Sequence, residues 1–367
     1  MGAYKTLRPL IFLQDPEKAH ERVVSLGALC WGTGLSTLLR LFFKYEDPSL
    51  KSSFCGIDFE NPIGIAAGFD KNGILSEFFE DIGFGFEEAG SVTYLGEDGN
   101  PKPRVFRLPH EEAVINRMGL NNLGAAEIAR ILQGRRNKNF PLIVNIAKTH
   151  NPNITGDRAI RDFADSYRLL WDKGNLIVLN VSCPNTLEGK TFEEPEPLRD
   201  LLNEIQRIRK EQDNAPSFGI KFSVDLYEFP EMNSSSKVYK LLDACENEGI
   251  NFYCVGNTSQ RRDELANPEI AELIGKGGLS GKPIRARSTE LVKIIYSATR
   301  KPVIGVGGVS TAQDAYDKIR AGAGLVEVFT GMVYEGPMIA KNINLGLVKL
   351  LNRDGFRNVS EAVGADI

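Results

Sequence analysis

Short apolar runs alternate with amphipathic stretches along most of the chain. Runs typical of buried β-strands lie at 61–68, 85–92, 141–147, 176–182, 218–223, 251–256, 301–306 and 324–330. Apolar residues at helical spacing fill most of the intervals, at 74–81, 121–133, 158–171, 196–211, 236–248, 288–299 and 311–321. Eight consecutive strand–helix units predict an α/β fold, a closed (β/α)8 TIM barrel over residues 46–367. An open doubly wound sheet is the alternative.

The first 45 residues have a different pattern. Apolar residues recur at helical spacing from Tyr4 to Ile11, and Asp15-Pro16-Glu17 is typical of a helix start. Basic side chains outnumber acidic ones, and the uncharged residues before Arg40 are too few for a membrane span. The segment is therefore predicted to be an N-terminal helical extension. It is either an amphipathic pair lying on a membrane surface or an extension packed on its own domain.

Amino-acid composition excludes only a few classes of function. The 367 residues are 42% hydrophobic and 25% charged, which is typical of a globular protein. A net charge of −4 does not favour nucleic acid as a partner. The five cysteines form no Cys-x-x-Cys pair, so the sequence predicts no metal site and no disulfide framework.

Polar side chains follow several predicted strands, where a barrel carries its chemistry. The densest group is Asn180-Val181-Ser182-Cys183-Pro184-Asn185-Thr186. Amides offer a donor and an acceptor each, and so suit a planar ligand that is rich in carbonyl and N–H groups. A cysteine at this place can act as a base, although a small buried residue in an ordinary turn is the simpler interpretation of this segment alone.

Two glycine-rich turns follow the last two predicted strands, at Gly305–Gly308 and Phe329–Gly331. This is the usual phosphate site of such barrels, where backbone N–H groups bind an anion. Gly277–Gly281 is interpreted as a further flexible loop that is rich in donors. With Lys71 and Lys221 also following strands, the pattern favours bound FMN.

These residues resemble dihydroorotate dehydrogenase, specifically its membrane-associated, quinone-linked class. The most specific matches are Asn61–Lys71, Arg104–Pro109, Val114–Arg117, Asn180–Thr186, Gly277–Pro283 and Gly305–Ser310. Leu13–His20 also resembles the helical extension of that class. The resemblance implies oxidation of (S)-dihydroorotate to orotate in pyrimidine biosynthesis, with hydride passed to FMN and a ubiquinone or menaquinone as final acceptor.

The resemblance also implies roles for particular residues. FMN would be held by Ala67, Gly68, Ser91, Asn145, Asn180, Lys221, Ser280, Gly281, Gly307, Gly308 and Thr330. Substrate would be held by Lys71, Asn116, Asn180, Asn185, Asn257 and Thr258, with Cys183 as the base. His20 and Arg107 would line a quinone tunnel formed with residues 1–45. The implied location is peripheral, on the cytoplasmic face of a bacterial inner membrane, or on the mitochondrial inner membrane if a targeting segment is missing here.

Five positions depart from the quinone-linked pattern, two of them Gly256, where threonine is common, and Phe329, where tyrosine is. The other three resemble the soluble classes. Cys183 stands where the quinone-linked class normally has serine, and Met118 and Leu120 replace its usual aromatic residues. These three changes leave open another FMN barrel oxidoreductase, which acts on a different dihydropyrimidine or uses a soluble acceptor such as fumarate. A non-catalytic flavin- or pyrimidine-binding protein at the membrane is a third possibility.

Overall fold

The fold is a closed barrel of eight parallel strands with surrounding helices. The computed structural model describes residues 3–30, 35–135, 137–182, 192–228, 232–233 and 235–367. The strands are β1 Ser52–Phe54, β2 Ile57–Phe59, β3 Ile63–Ile65, β4 Phe86–Val92, β5 Val105–Leu108, β6 Ala113–Asn116, β7 Leu142–Ala147, β8 Leu176–Asn180, β9 Phe218–Phe222, β10 Phe252–Val255, β11 Gly278–Gly281, β12 Val303–Val306 and β13 Ala323–Val328.

The barrel runs in the order β3-β4-β7-β8-β9-β10-β12-β13. Val326 of β13 pairs with Ile63 of β3, so the sheet closes and the open-sheet alternative is wrong. Seven of the eight barrel strands lie within stretches that the apolar pattern predicted, and β13 begins one residue before its predicted stretch. The pattern was informative because these strands are buried on both faces and therefore consist mostly of apolar residues.

The helices that follow the barrel strands agree with the prediction within a few residues. In chain order the helices are α1 Ala3–Phe12, α2 Pro16–Cys30, α3 Leu35–Phe43, α4 Ser76–Asp81, α5 Ala125–Gln133, α6 Asp157–Leu170, α7 Pro195–Arg209, α8 Lys237–Asn247, α9 Pro268–Ile274, α10 Arg285–Thr299, α11 Ala312–Arg320, α12 Thr330–Glu335, α13 Ile339–Asp354 and α14 Val359–Ala362. Among these described helices, none combines the length and the hydropathy of a membrane-spanning segment.

The hairpin β1–β2 closes one end of the barrel with aromatic side chains. Phe54 and Phe59 pack edge-to-face on each other, with ring centroids 6.4 Å apart. Phe54 also contacts Phe252 of β10 at 5.4 Å, and Phe59 contacts Phe86 of β4 at 5.5 Å. This end of the barrel interior is therefore filled, and a ligand must bind at the other end of the strands.

A second, three-stranded sheet in the order β11-β6-β5 lies outside the barrel. The prediction of a flexible loop at Gly277–Gly281 is wrong, because Gly278–Gly281 forms β11 and pairs antiparallel with β6. Leu279 is buried in this sheet, and Gly278 leaves room for Thr258, whose Oγ1 would lie 2.0 Å from a Cβ. Glycine there permits a close approach of chain segments, which the sequence alone does not distinguish from flexibility.

The N-terminal helices pack against the barrel. Asp15 accepts a hydrogen bond from the Lys18 N–H at 2.9 Å, so α2 begins where the sequence predicted. The Tyr4 hydroxyl donates to the Val333 carbonyl at 2.6 Å, which ties α1 to α12. The predicted helical extension is therefore present, and the chain continues from it into the barrel.

Candidate active site

A cavity of about 510 Å³ lies between the C-terminal ends of the strands and the helices α1 and α2. Most of the predicted site residues line it. They are His20, Ala67, Gly68, Lys71, Ser91, Arg107, Asn116, Asn180, Lys221, Asn257, Thr258, Ser280, Gly281, Gly307, Gly308 and Thr330. Residues that are distant in sequence thus converge, because the carboxyl ends of parallel barrel strands meet at one face.

Carboxamides and hydroxyls form a connected group on one wall. Asn180 at the end of β8 donates to Ser91 Oγ at 2.8 Å. Asn257, after β10, donates to Asn180 Oδ1 at 3.2 Å and to Ser182 Oγ at 3.0 Å. These mutual hydrogen bonds fix the orientation of the amides before a ligand arrives, so the wall is preorganised for a flat, polar ligand.

Charged side chains form a layer inside the barrel beneath the cavity. Lys221 of β9 forms ion pairs with Glu88 of β4 and with Glu327 of β13, the latter at 3.4 Å. Glu88 also accepts hydrogen bonds from the Asn145 amide at 2.8 Å and the Ala67 N–H at 3.0 Å. Glu88 therefore connects three of the predicted cofactor residues, one from each of three barrel strands or their ends.

The two glutamates of this layer share a hydrogen bond, which requires a proton on one of them. Burial and the negative charge of Glu88 raise the pKa of Glu327 well above its ordinary value. Burial also opposes ionisation of Glu88, but Lys221 and the hydrogen bonds outweigh it and lower the pKa of Glu88. Glu327 therefore carries the proton, and Glu88 the charge that neutralises Lys221.

Cys254 completes this buried group. Ligand-type atoms of Glu88, Cys254 and Glu327 lie within 4.8 Å of one another. The Lys221 ammonium ion-pairs with both carboxylates, so it already takes the position that a cation would occupy. Burial raises the pKa of the Cys254 thiol well above its ordinary value, which keeps the thiol neutral.

Two buried acceptor atoms beside the cavity are available to a cofactor. Within the described part of the chain, Asn145 Oδ1 and Glu327 Oε1 have no hydrogen-bond partner. An unsatisfied buried acceptor is costly, so a ligand with ring N–H groups fits here. Asn145 is also the one described residue of the predicted set that does not line the cavity directly. Its main observed contact is the hydrogen bond that orients Glu88.

Glycines allow close approach where the ring and the phosphate of FMN would lie. At Gly68, with φ of +89°, a Cβ would meet only Phe329, at 3.7 Å, so the backbone is open to a flat ligand. At Gly308, with φ of +72°, a Cβ would lie 2.6 Å from the Arg285 Cα. The turn after β12 thus packs directly on the start of α10, as a backbone phosphate site requires. The residues present therefore fit FMN.

Lys71 lies where the strand-end site meets the N-terminal helices. The buried Asp70 carboxylate accepts hydrogen bonds from the N–H groups of Gly73 and Leu75, at 2.8 and 2.5 Å, and so shapes the turn that carries Lys71. Burial lowers the pKa of Lys71 to about 8. Its Nζ lies 3.4 Å from Nε2 of His20 on α2. The predicted substrate and quinone residues are thus in direct contact.

Arg107 lines the cavity on the helix side. It donates to the carbonyls of Phe12 and Gln14, at 3.2 and 3.0 Å, and its guanidinium lies 4.5 Å from the centre of the Phe12 ring. Arg107 therefore fixes the connection between α1 and α2. The neighbouring cavity wall is mainly apolar, with Ile11, Val23 and Leu26 from the same helices.

Two of the predicted site residues are not among the described ones. Cys183, the predicted base, and Asn185, a predicted substrate ligand, lie between residues 182 and 192. Their roles remain predictions from the sequence.

Glu88 and Glu327 are the residues that the sequence analysis missed. Each lies inside an apolar strand that is buried on both faces, where an acidic side chain is rarely found unpaired. That contrast is the signal that would have found them. The sequence pattern does not identify Lys221 as their ion-pair partner, because Lys221 is far from both glutamates in sequence.

Comparisons with known proteins agree with this geometry. The family model described as dihydroorotate dehydrogenase matches residues 49–351. A protein named dihydroorotate dehydrogenase (quinone) from Haloarcula marismortui is 40% identical over 371 residues and covers 100% of both chains. Its namesake from Roseiflexus sp. (strain RS-1) is 38% identical over 369 residues and covers 98% of both chains.

Solved structures give the same result. The crystal structure of DHODH from Eimeria tenella in complex with ferulenol has a TM-score of 0.84 and 30% identity, covering 96% of each chain. With a family model that spans most of the barrel and relatives that match over nearly the whole length, the chain belongs to the dihydroorotate dehydrogenase family.

Proposed function

We propose that the chain oxidises (S)-dihydroorotate to orotate, passes the hydride to FMN and delivers the electrons to a membrane quinone. The observation that carries this proposal is the single cavity that joins the amide-lined strand ends to an apolar passage between α1 and α2. A polar substrate needs a site lined by polar groups, whereas an apolar electron acceptor needs an apolar one, and this cavity has both. The names of the relatives support the same reaction and do not favour the fumarate or other dihydropyrimidine alternatives.

FMN would lie across the strand ends. Ser280, Gly281, Gly307, Gly308 and Thr330 would hold its phosphate side, and Ala67, Gly68, Ser91, Asn145, Asn180 and Lys221 its ring. When bound, FMN supplies a two-electron acceptor that can be reoxidised by a second substrate. Lys221 is suited to stabilise negative charge on a reduced ring, because its ammonium is buried and held in place by Glu88.

The substrate would bind against the amide wall. Lys71 would attract its carboxylate, while Asn116, Asn180, Asn185, Asn257 and Thr258 would hold its carbonyl and N–H groups. Cys183 would remove the proton from C5 as hydride leaves C6. The residues that hold the carbonyl groups favour this step, since they stabilise charge that develops as the proton is removed.

The N-terminal residues 1–45 would form the quinone passage, with residues 46–367 as the FMN barrel. Exposed apolar side chains on α1–α3 support contact of these helices with a bilayer surface: Leu7, Leu10, Leu26, Leu29, Leu38, Leu41 and Phe42. His20 and Arg107 would face the quinone head group. The protein would then be peripheral, on a bacterial inner membrane or a mitochondrial one. Replacing Leu10 and Leu26 by Glu should reduce co-sedimentation with liposomes, and unchanged binding would contradict the assignment.

Anaerobic titration tests the reaction. Purified protein should release FMN on denaturation, and dihydroorotate should bleach the flavin absorbance with one equivalent per site. Addition of a short-chain quinone should restore the absorbance, whereas fumarate and NAD should not. Bleaching by another dihydropyrimidine but not by dihydroorotate would contradict the proposed substrate, and reoxidation by fumarate alone would contradict the acceptor.

A further inference from the structure

The contact between His20 and Lys71 joins two parts of the cavity that the sequence analysis assigned to different substrates. His20 lies on α2, and its ring packs edge-to-face on Phe69 with centroids 4.9 Å apart. The same ring places Nε2 at 3.4 Å from Lys71 Nζ. Both residues line the cavity.

The chemistry of the two groups fixes the direction of this hydrogen bond. An ammonium has donors only, so Nε2 must be the acceptor and must carry a lone pair. The ring proton is then on Nδ1. Burial and the Lys71 charge lower the pKa of His20 to about 3, so the imidazole is neutral at physiological pH and its lone pair is available.

The acidic groups around Lys71 are engaged with other partners. Asp70 receives backbone N–H groups, and Glu17 forms an ion pair with Arg104 at 2.8 Å. Glu21 and Arg104 are the other charged groups that influence Lys71, in opposite senses. Among the described residues, no carboxylate lies within salt-bridge distance of Lys71 Nζ. The His20 lone pair is therefore the acceptor that directly contacts the Lys71 ammonium.

We propose that His20 is a positioning residue for Lys71, and that this hydrogen bond couples the occupancy of the apolar passage to the affinity for the anionic substrate. The inference rests on the proposed function, because it takes the ligand of Lys71 to be the carboxylate of dihydroorotate or orotate. A ligand in the apolar passage that moves the His20 ring changes the hydrogen bond that positions Lys71, and with it the affinity for the anionic substrate. By linkage, orotate changes the affinity for that ligand by the same factor.

His20 then has a role beyond the one that the resemblance implies. The resemblance places His20 in the quinone tunnel only, which implies no effect on the substrate. In the geometry observed, Nε2 faces Lys71 and cannot at the same time donate to a quinone carbonyl. The effect of His20 should therefore appear in orotate binding, without any turnover.

Binding of orotate to the oxidised, FMN-loaded protein is the direct test. The perturbation of the flavin absorbance gives a dissociation constant for wild type, His20→Phe and His20→Gln. Phenylalanine keeps the packing on Phe69 but has no acceptor, so orotate should bind roughly 3- to 10-fold more weakly, the scale of one modest hydrogen bond. Glutamine offers an acceptor near the position of Nε2 and should recover part of the loss. Ser25→Ala, on an exposed face of the same helix, is the matched control.

The pH profile separates positioning from a general structural effect. Orotate needs the charged form of Lys71, so its affinity should fall as the pH rises through the Lys71 pKa, which lies at about 8 without ligand. Removing the acceptor disfavours the ammonium, so the fall in His20→Phe should begin at lower pH than in wild type. The FMN content and the circular dichroism of each variant serve as checks on folding.

Imidazole NMR of the wild-type protein provides a measurement that needs no cavity variant. The chain has three histidines, and His110→Asn, at an exposed position, helps to assign the remaining signals. The Nε2 of His20 should show the shift of a bare nitrogen, and orotate should move it. A proton on Nε2, or identical orotate affinity and pH profile in His20→Phe and wild type, would overturn the inference. Absence of orotate binding to wild type would instead contradict the proposed function.

Discussion

At the scale of single residues, the buried group of Glu88, Lys221 and Glu327 is the most unusual feature. Two carboxylates and one ammonium share a fully buried site, so one proton is needed to make the group neutral. Burial and the charge of Glu88 raise the pKa of Glu327, so that proton lies on Glu327. A neutral Glu327 leaves the Lys221 charge opposed by a single carboxylate.

This assignment predicts a pH dependence of stability. The pKa of Glu327 is raised in the folded protein, so its contribution is fully present below the unfolded pKa of about 4.3 and is lost as the pH rises. Glu327→Gln keeps a donor to Glu88 and cannot ionise. Its Tm should therefore fall less than that of wild type as the pH rises from about 4.3, the unfolded pKa of a glutamate. Glu272→Gln, at an exposed position, should follow wild type. Parallel curves for all three proteins would contradict the protonated state of Glu327.

The second prediction for a single residue concerns Cys183, whose role as the base is inferred from the sequence. Replacing the base by alanine should slow flavin reduction by dihydroorotate roughly 10²-fold or more, while orotate still binds. Cys183→Ser should retain some activity but need higher pH, because a hydroxyl gives up its proton less readily than a thiol. Single-turnover stopped flow measures both. An unchanged reduction rate in Cys183→Ala would remove this residue from the mechanism.

The residues that the sequence predicted and those it missed differ in a physical respect. Asn180, Asn257 and Lys71 could be predicted because they follow apolar strands, and strand ends are where a barrel places its site. Glu88 and Glu327 lie within strands, and their role depends on which strands become neighbours across the barrel interior. The same holds for His20 and Lys71, whose contact depends on how α2 packs and not on either local pattern.

At the scale of elements, α2 is attached to the barrel by a buried ion pair. Arg104 donates to Glu17 from Nη2 at 2.8 Å and from Nε at 3.1 and 3.2 Å, and both side chains are buried. Its Nη1 donates to the carbonyls of Asp98 and Asn100, at 2.7 and 2.8 Å. Arg104 therefore connects α2 to the loop before β5, the strand in which Val105 pairs with Asn116 of β6.

Breaking this pair should loosen α2. Glu17→Ala leaves the Arg104 charge buried and should cost about 3–5 kcal/mol, the usual range for removing one partner of a buried pair. Trypsin should then cleave within α2 faster than in wild type. Glu21→Ala removes an exposed carboxylate of the same helix, which contacts Lys102 at 3.1 Å, and should have little effect because exposed pairs contribute little. Equal cleavage rates in the two variants would show that Glu17 does not anchor the helix.

Helices and strands could be predicted to different degrees. The start of α2 was evident because its cap and first-turn residues act locally. Strand β11 was not, since Gly278–Gly281 is a strand only through its pairing with β6 and its contact with Thr258. Glycine-rich segments have weak local preferences, so tertiary contacts decide their structure.

At the scale of the whole molecule, the barrel is the feature that the sequence predicted most completely. Eight apolar strands with helices between them leave two main arrangements, a closed barrel and an open doubly wound sheet, and the pairing of β13 with β3 decides for the barrel. What the pattern could not supply is the shape of the cavity. Helices α1 and α2 cover the strand ends, so the proposed substrate site and the apolar passage become parts of one space.

We propose that electrons leave the flavin through the apolar passage between α1 and α2. Blocking this passage with a larger side chain is the most direct test. Val23 lines the apolar wall, whereas Ser25 is exposed on α2 and does not. Double-mixing stopped flow reduces the bound flavin with dihydroorotate and then adds a short-chain quinone. Val23→Trp should keep the wild-type rate of flavin reduction and slow reoxidation by about 10-fold or more, whereas Ser25→Trp should match wild type in both steps. Equal reoxidation rates in wild type and Val23→Trp would contradict the assignment of the passage to quinone.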